Sequence, residues 1–142
     1  AEDVGTANPN ALVVAQAACE AVRMIGMPEA RIILAEACIV VAASPKSNAS
    51  YMAINSAIEH IQNSYTGEVP MHLRNAETIG MKDMGYGNGY KYAHDYPGNV
   101  VMQQYLPDPI KDMVYYKPYG NGYERNIIDY FNWKKKKEDD NK

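Results

Sequence analysis

The sequence has no secretory leader pattern, no membrane-length apolar run and no dominant charge. Cys19 and Cys38 are its only cysteines, and both lie in Ala-rich apolar surroundings. That pattern predicts buried, reduced thiols in a cytoplasmic protein rather than a disulfide scaffold. The longest apolar stretch, 32–43, is interrupted by Glu36 and falls short of the ~20 residues that cross a bilayer, so it reads as a buried helix. With 14 basic and 17 acidic residues the net charge is −3, which advertises neither a nucleic-acid-coating protein nor an acidic disordered one. At 142 residues and 46% hydrophobic content the chain is one domain long, with room for a core and too little for two ordinary domains.

Catalytic vocabulary is equally sparse. Neither G-x-x-x-x-G-K-[ST] nor G-x-G-x-x-G occurs, so the glycines of Gly85-Tyr86-Gly87-Asn88-Gly89-Tyr90 read as a packed loop rather than a phosphate cradle. His60, His72 and His94 have no His or Cys partner at i, i+4, the spacing a helical metal site uses. His94-Asp95 is the one adjacent acid–base pair of interest, yet neighbours on extended chain point to opposite sides. A structural histidine bonded to backbone is the simpler reading, and a small hydrolase built on the pair needs a third group. No serine sits in a strand–turn–helix elbow.

What is present is a composition shift. Eleven of the twelve tyrosines fall between Tyr65 and Tyr130, whereas alanine concentrates between Ala11 and Ala57. The Ala-rich half reads as three helices. Asn8-Pro9 supplies a cap and a first-turn proline, and Gly26 a stop. Between them only Gln16, Glu20 and Arg23 form a polar stripe, so the apolar arc is wider than a surface helix requires. The second helix runs from about Pro28 to Ala43 and ends because Ser44 precedes Pro45. After Glu36 it has no polar side chain; such a helix must be covered on all sides, by its own domain or by another subunit. Ser47 caps a third helix on which Tyr51, Ile54, Ile58, Ile61 and Tyr65 recur on one face.

Beyond Gly67 the repeated prolines and glycines break the pattern. Short helices are expected around 76–84 and 98–105, a short strand at 113–119, and a last helix from about Gly122 to Lys137. The tyrosines at 86, 90, 92 and 96 read first as rings packed over irregular backbone in an ordered loop, with a stacking or protein-binding surface as the lesser alternative. Lys134–Lys137 followed by Glu138-Asp139-Asp140 fits a solvated helix C-terminus, with a phosphate contact as the alternative.

Several motifs together are similar to one family. Pro45-Lys46-Ser47-Asn48, His72-Leu73-Arg74-Asn75, Gly85-Tyr86-Gly87, Tyr90-Lys91-Tyr92-Ala93-His94-Asp95-Tyr96-Pro97 and Gln104-Tyr105-Leu106-Pro107 resemble, in unchanged order, the C-terminal region of the replication-associated recombination ATPases. This family, often called RarA or MgsA, includes the Werner-helicase-interacting proteins. The resemblance covers residues 2 to about 118. It implies a parent AAA+ ATPase related to clamp loaders that uses ATP and magnesium, binds DNA and replication proteins at stalled forks, and acts in recombination and repair. It implies that this chain is a C-terminal fragment, 1–142, with no nucleotide-binding residue of its own: an all-α helical bundle like the clamp-loader collar, carrying an irregular Gly/Tyr/Pro-rich segment and assembling a homotetramer. The over-wide apolar helices agree, and they make Val14, Ala18, Val40 and Val41 candidate interface residues. The rival reading is a self-standing nucleic-acid or protein-binding module using the Tyr/Lys surface. Two positions depart from the family pattern: Glu77 stands where proline is usual before Thr78, and Asn88 follows Gly-Tyr-Gly where a charged residue is common.

Overall fold

The computed structural model describes residues 1–140. Five α-helices occur among the described residues, α1 Asn10–Ile25, α2 Ala30–Ala43, α3 Ala49–Asn63, α4 Ile79–Asp83 and α5 Glu124–Asp140, with one 3-10 turn before α1, one between α3 and α4 and three between α4 and α5. No strand occurs among the described residues, so the chain is all-α. It divides into two compact units, one made of Ala1–Ala57 with Tyr115–Asp129 and the other of Ile58–Val114 with Tyr130–Lys142.

In the first unit the helix boundaries follow local chemistry. Asn8 Oδ1 accepts the Asn10 N–H at 3.2 Å, satisfying one of the donors that a helix start leaves open. α1 stops at Gly26, whose φ is +74°. α2 begins at Ala30 rather than Pro28, because the Arg31 and Ile32 N–H groups close tight turns onto the Pro28 and Glu29 carbonyls before regular bonding starts. It ends at Ser44, which is extended ahead of Pro45 and donates its hydroxyl to the Val40 carbonyl at 2.6 Å. Ser47 Oγ accepts the Ala49 N–H at 3.2 Å to open α3.

With only four residues between them, α1 and α2 pack as a helical hairpin. The contact is made by small side chains. Ala18 is buried, and Val14, Ala17 and Ala21 line a cleft of about 340 Å³ opposite Ile33 and Ala37. Alanine at these positions lets the backbones approach closely, but it buries little apolar area per residue.

The remaining sides of both helices are bare, which corrects the expectation that α1 would show only its polar stripe. Leu12, Val13 and Met24 on α1, and Ile32, Leu34 and Ile39 on α2, are exposed, Met24 by 86% and Ile39 by 67%. Cys19 and Cys38 are free but exposed, not buried. Each follows by one position a residue of the hairpin contact, Ala18 or Ala37, and a 100° step along a helix turns it away from that contact. On α3, Tyr51 and Ile54 are also exposed.

The second unit has a small core of Val100, Val101 and Ile110. Thr78 Oγ1 accepts the Met81 N–H at 3.3 Å, so α4 starts at Ile79, later than the 76–84 span expected. The helix expected at 98–105 is absent. Only Pro97–Asn99 turns, because Gly98 and Asn99 both take positive φ and release the chain into the extended, buried Val100-Val101 pair. On α5, Tyr130 stacks on Trp133 with ring centroids 5.7 Å apart. Lys134 and Lys137 pair with Glu138 and Asp140 at 3.7 and 4.0 Å, the helix-end arrangement read from the charge run.

Candidate functional site

The most concentrated polar site lies in the first unit and centres on Glu124, whose side chain has 0% exposure. Thr6 Oγ1 and Ser47 Oγ donate to Oε1 at 2.9 and 2.5 Å. The N–H groups of Tyr119, Gly120 and Asn121 donate to Oε2 at 3.0, 3.1 and 3.2 Å. Burial alone would raise the carboxyl pKa. The hydrogen bonds from Ser47, Thr6, Asn121 and Tyr119 together outweigh it and hold the group below its ordinary 4.5. A charged carboxylate in the first turn of α5 is further favoured by the helix dipole.

This carboxylate ties together three segments remote in sequence. The Tyr116 hydroxyl lies 2.8 Å from Thr6 Oγ1, the Ser47 N–H donates to the Asp3 carbonyl at 2.9 Å, and the Tyr123 N–H donates to the Ala7 carbonyl at 2.8 Å. The loop between α2 and α3 closes the other side. Lys46 Nζ donates to the Val41 carbonyl, its own carbonyl accepts from Asn121 Nδ2 at 2.9 Å, and Asn48 Oδ1 accepts from the Tyr119 hydroxyl at 2.9 Å. Gly122 passes between Ala7 and Pro45 with φ +54°, where any Cβ would collide with the Ala7 carbonyl and the Pro45 ring. The strand expected at 113–119 is absent; the Tyr116 hydroxyl and the N–H groups of Tyr119, Gly120 and Asn121 contribute to this junction instead.

In the second unit, side chains tie irregular backbone in the same way. His72 Nε2 lies 2.7 Å from the Gln104 carbonyl, with Leu73 half-buried beside it. Arg74 donates to the Val69 carbonyl and to Glu68, both at 2.7 Å, and its guanidinium lies 5.3 Å from the Tyr86 ring centroid. The Glu68 bond pushes the Arg74 pKa above its ordinary value. Asn75 and Tyr90 are among the residues that line a cleft of about 510 Å³. Lys91 and Gln103 bond reciprocally, at 3.1 Å from the Lys91 N–H and 3.0 Å to its carbonyl. His94 and Asp95 share one 3-10 turn just ahead of Pro97, and the His94 ring leans on Tyr92 with centroids 5.0 Å apart. Tyr90 and Tyr92 are 51% and 54% exposed, so they do not pack over the loop as fully as the sequence suggested.

The Gly85–Tyr90 loop follows α4 instead of opening a helix. The N–H groups of Gly85, Tyr86, Gly87, Asn88 and Tyr90 already donate to the carbonyls of Lys82, Met81, Met71, Gly85 and Gly87. A phosphate cradle needs such donors free and converging. Among the described residues no three His, Cys, Asp or Glu side chains converge as a metal-ligand group, and no helix is long and apolar enough to cross a membrane.

A family model described as the C-terminal part of the MgsA AAA+ ATPases matches residues 1–135. The chain belongs to this family. It is 49% identical over 126 residues to an uncharacterized AAA domain-containing protein of Mycobacterium tuberculosis, covering 89% of the chain and 28% of that protein. It is 45% identical over 121 residues to replication-associated recombination protein A of Bacillus subtilis, covering 85% of the chain and 29% of the relative. With the Escherichia coli protein of the same name it shares 40% over 133 residues, covering 93% and 30%. The chain therefore spans less than a third of the length of these relatives.

Within this MgsA-type domain, of the residues that carry the resemblance, Lys46, Ser47 and Asn48 bond within the Glu124 junction, while His72, Arg74 and Lys91 tie backbone in the second unit. Of the four candidate interface residues, Ala18 is buried in the α1–α2 contact and Val14 lines its cleft. Val40 is half-buried on the same side of α2 as Ile33 and Ala37, and only Val41 faces outward, 37% exposed. Sequence reasoning missed Glu124 entirely. The one signal available was an acid just after a Gly-x-Gly turn at the start of a helix.

Proposed function

We propose that this chain is the homotetramerisation domain of a clamp-loader-related AAA+ ATPase that acts in replication, recombination and repair at stalled forks. Membership of the MgsA C-terminal family supports the parent type, as do relatives named for replication-associated recombination. In this reading ATP and magnesium are handled elsewhere in the parent, which also contacts DNA and replication proteins in the cytoplasm, and the chain contributes assembly and no catalytic step.

The observation that carries the assembly role is bare apolar surface. The chain exposes 10245 Å². Two separate compact proteins of half its mass would together expose about 8,800 Å². The excess, about 1,400 Å², exceeds the ~800 Å² that one partner contributes to a standard interface, and aliphatic residues of α1, α2 and α3 are among the exposed ones. Light scattering tests the reading: a mass four times 15.8 kDa at tens of micromolar is expected, and a monodisperse monomer overturns it. Nucleotide titration by calorimetry should show no saturable binding at micromolar concentration.

The exposure of Tyr90 and Tyr92 favours a second reading, a binding module that uses this surface. A monomer that retards a DNA probe, and loses this on Tyr90→Ala with Tyr92→Ala, would establish it instead.

A further inference from the structure

The pentapeptide Tyr-Gly-Asn-Gly-Tyr occurs twice, at 86–90 and at 119–123, and its two copies have different surroundings. The second copy belongs to the Glu124 junction. There the Asn121 N–H donates to Glu124 Oε2 at 3.2 Å, and its carboxamide donates to the Lys46 carbonyl at 2.9 Å. The Asn121 carbonyl accepts the Glu124 N–H at 3.1 Å. Gly122 is wedged between Ala7 and Pro45, so closely that an added Cβ would stand 2.6 Å from the proline ring. In the first copy Asn88 and Gly89 are both exposed. The Asn88 N–H closes a turn onto the Gly85 carbonyl at 3.2 Å, but no hydrogen bond among the described residues holds its carboxamide. A Cβ on Gly89 would meet nothing within 4 Å.

We infer that Asn88 is a site of spontaneous deamidation, and that the Glu124 junction protects Asn121 from the same reaction. Asparagine followed by glycine suits this chemistry, since glycine has no Cβ to shield its nitrogen and takes up the required backbone angles freely. Hydroxide removes the Gly89 amide proton and the nitrogen bonds to Asn88 Cγ. The Cγ–Nδ2 bond then breaks, and the leaving nitrogen takes a proton from water and departs as ammonia. Water opens the resulting five-membered succinimide at either carbonyl, leaving aspartate or isoaspartate, so the net change is amide plus water to acid plus ammonia. Neither Gly89 nor Gly122 donates its N–H among the described residues, so the nucleophile is available in both copies. What differs is the freedom of the electrophile. At Asn121, bringing Cγ onto the next nitrogen breaks the Lys46 bond and needs a backbone rotation that Glu124, Ala7 and Pro45 oppose. At Asn88 it breaks no side-chain bond. Conversion adds a negative charge to a chain of net charge −3. The isoaspartyl form also inserts a methylene into the main chain at residue 88, inside the turn that the Tyr90 N–H closes onto the Gly87 carbonyl at 3.2 Å. Gly87 and Tyr90 both line the cleft of about 510 Å³, so the modification reshapes one of its walls.

Because the two pentapeptides are identical, the unfolded chain is an internal reference. The full 142-residue chain is held in warm, mildly alkaline buffer, digested and mapped by mass spectrometry, with fragmentation separating aspartate from isoaspartate. In guanidinium the two sites should convert at similar rates. In the folded chain Asn88 should convert at least about tenfold faster than Asn121, whose reaction waits on local opening of the junction. Asn88→Gln should remove the main acidic species resolved by ion exchange, since glutamine must close a larger ring and does so more slowly. Glu124→Gln weakens the junction, so it should raise the rate at Asn121 and leave that at Asn88 unchanged. Equal rates in the folded chain, or an Asn88 that converts only in guanidinium, overturn the proposal. A Glu124→Gln variant that changes neither rate, or raises both alike, overturns the protection assigned to the junction.

Discussion

Glu124 is ionised in a site with no exposure because five donors converge on its two oxygens. Glu124→Gln keeps the size and removes the charge; its carbonyl oxygen can keep the three backbone N–H groups, and its NH2 then faces the Thr6 and Ser47 hydroxyls, which must turn to accept. The expected loss is about 2–4 kcal/mol, read from the urea midpoint, since five charge-assisted hydrogen bonds become neutral ones. The pH dependence has a definite sign. The folded-state pKa lies below the ordinary 4.5, so the stabilisation is fully present above that value and is lost as pH falls through the folded pKa. The wild type should therefore weaken more steeply than Glu124→Gln between pH 5 and pH 3, and parallel slopes would show that the carboxylate is not the group responsible. A contrast within the second unit follows from burial. Ile110→Ala removes a side chain that is 8% exposed and should cost about 2–4 kcal/mol. Tyr90→Ala and Tyr92→Ala, at half exposure, should each cost less than about 1.5 kcal/mol, measured by thermal or urea unfolding.

At the scale of elements, the two sides of the hairpin helices should respond differently to the same substitution. Val14→Asp puts a charge into the α1–α2 contact and should lower helical content by circular dichroism along with any loss of mass. Ile39→Asp puts it on the outward side of α2 and should reduce mass by light scattering while helicity holds. Equal loss of helicity in both would mean that the outward face is needed for folding of the single chain. The start and stop of α1, the stop of α2 and the start of α3 were legible from Asn8, Gly26, Ser44-Pro45 and Ser47, because capping is a local matter settled within a few residues. α2 starts at Ala30 rather than Pro28, and α3 ends at Asn63, short of Tyr65 and the Gly67 stop expected. The breadth of the apolar arc on α2 was legible too, but not its division into an inner and an outer side, which depends on where α1 lies. The Glu124 junction was illegible for the same reason. Its side-chain donors stand 118 and 77 residues away, and no periodicity or motif links positions at such separations. The second unit was read least well, because its backbone is held by side-chain ties such as His72 to Gln104 and Lys91 to Gln103, which local propensity does not encode.

For the molecule as a whole, the balance between buried and exposed apolar residues matters most. Its buried hydrophobic residues are chiefly alanine and valine, whereas its larger aliphatic and aromatic side chains are mostly exposed. Association should therefore raise stability by mass action, so the unfolding temperature should climb with protein concentration. A concentration-independent transition across a hundredfold dilution series would show that the exposed faces stay bare. The junction also imposes an order on synthesis. Thr6 and Ser47 leave the ribosome long before Glu124 does, and at ~5–20 residues per second the wait for the carboxylate is roughly 6–24 s for Thr6. Throughout that interval the nascent α1–α2 hairpin presents its aliphatic sides while the strap at residues 3–7 has nothing to close on. If the chain assembles with itself as proposed, copies translated side by side on one messenger would meet in that state, before any single chain has finished folding.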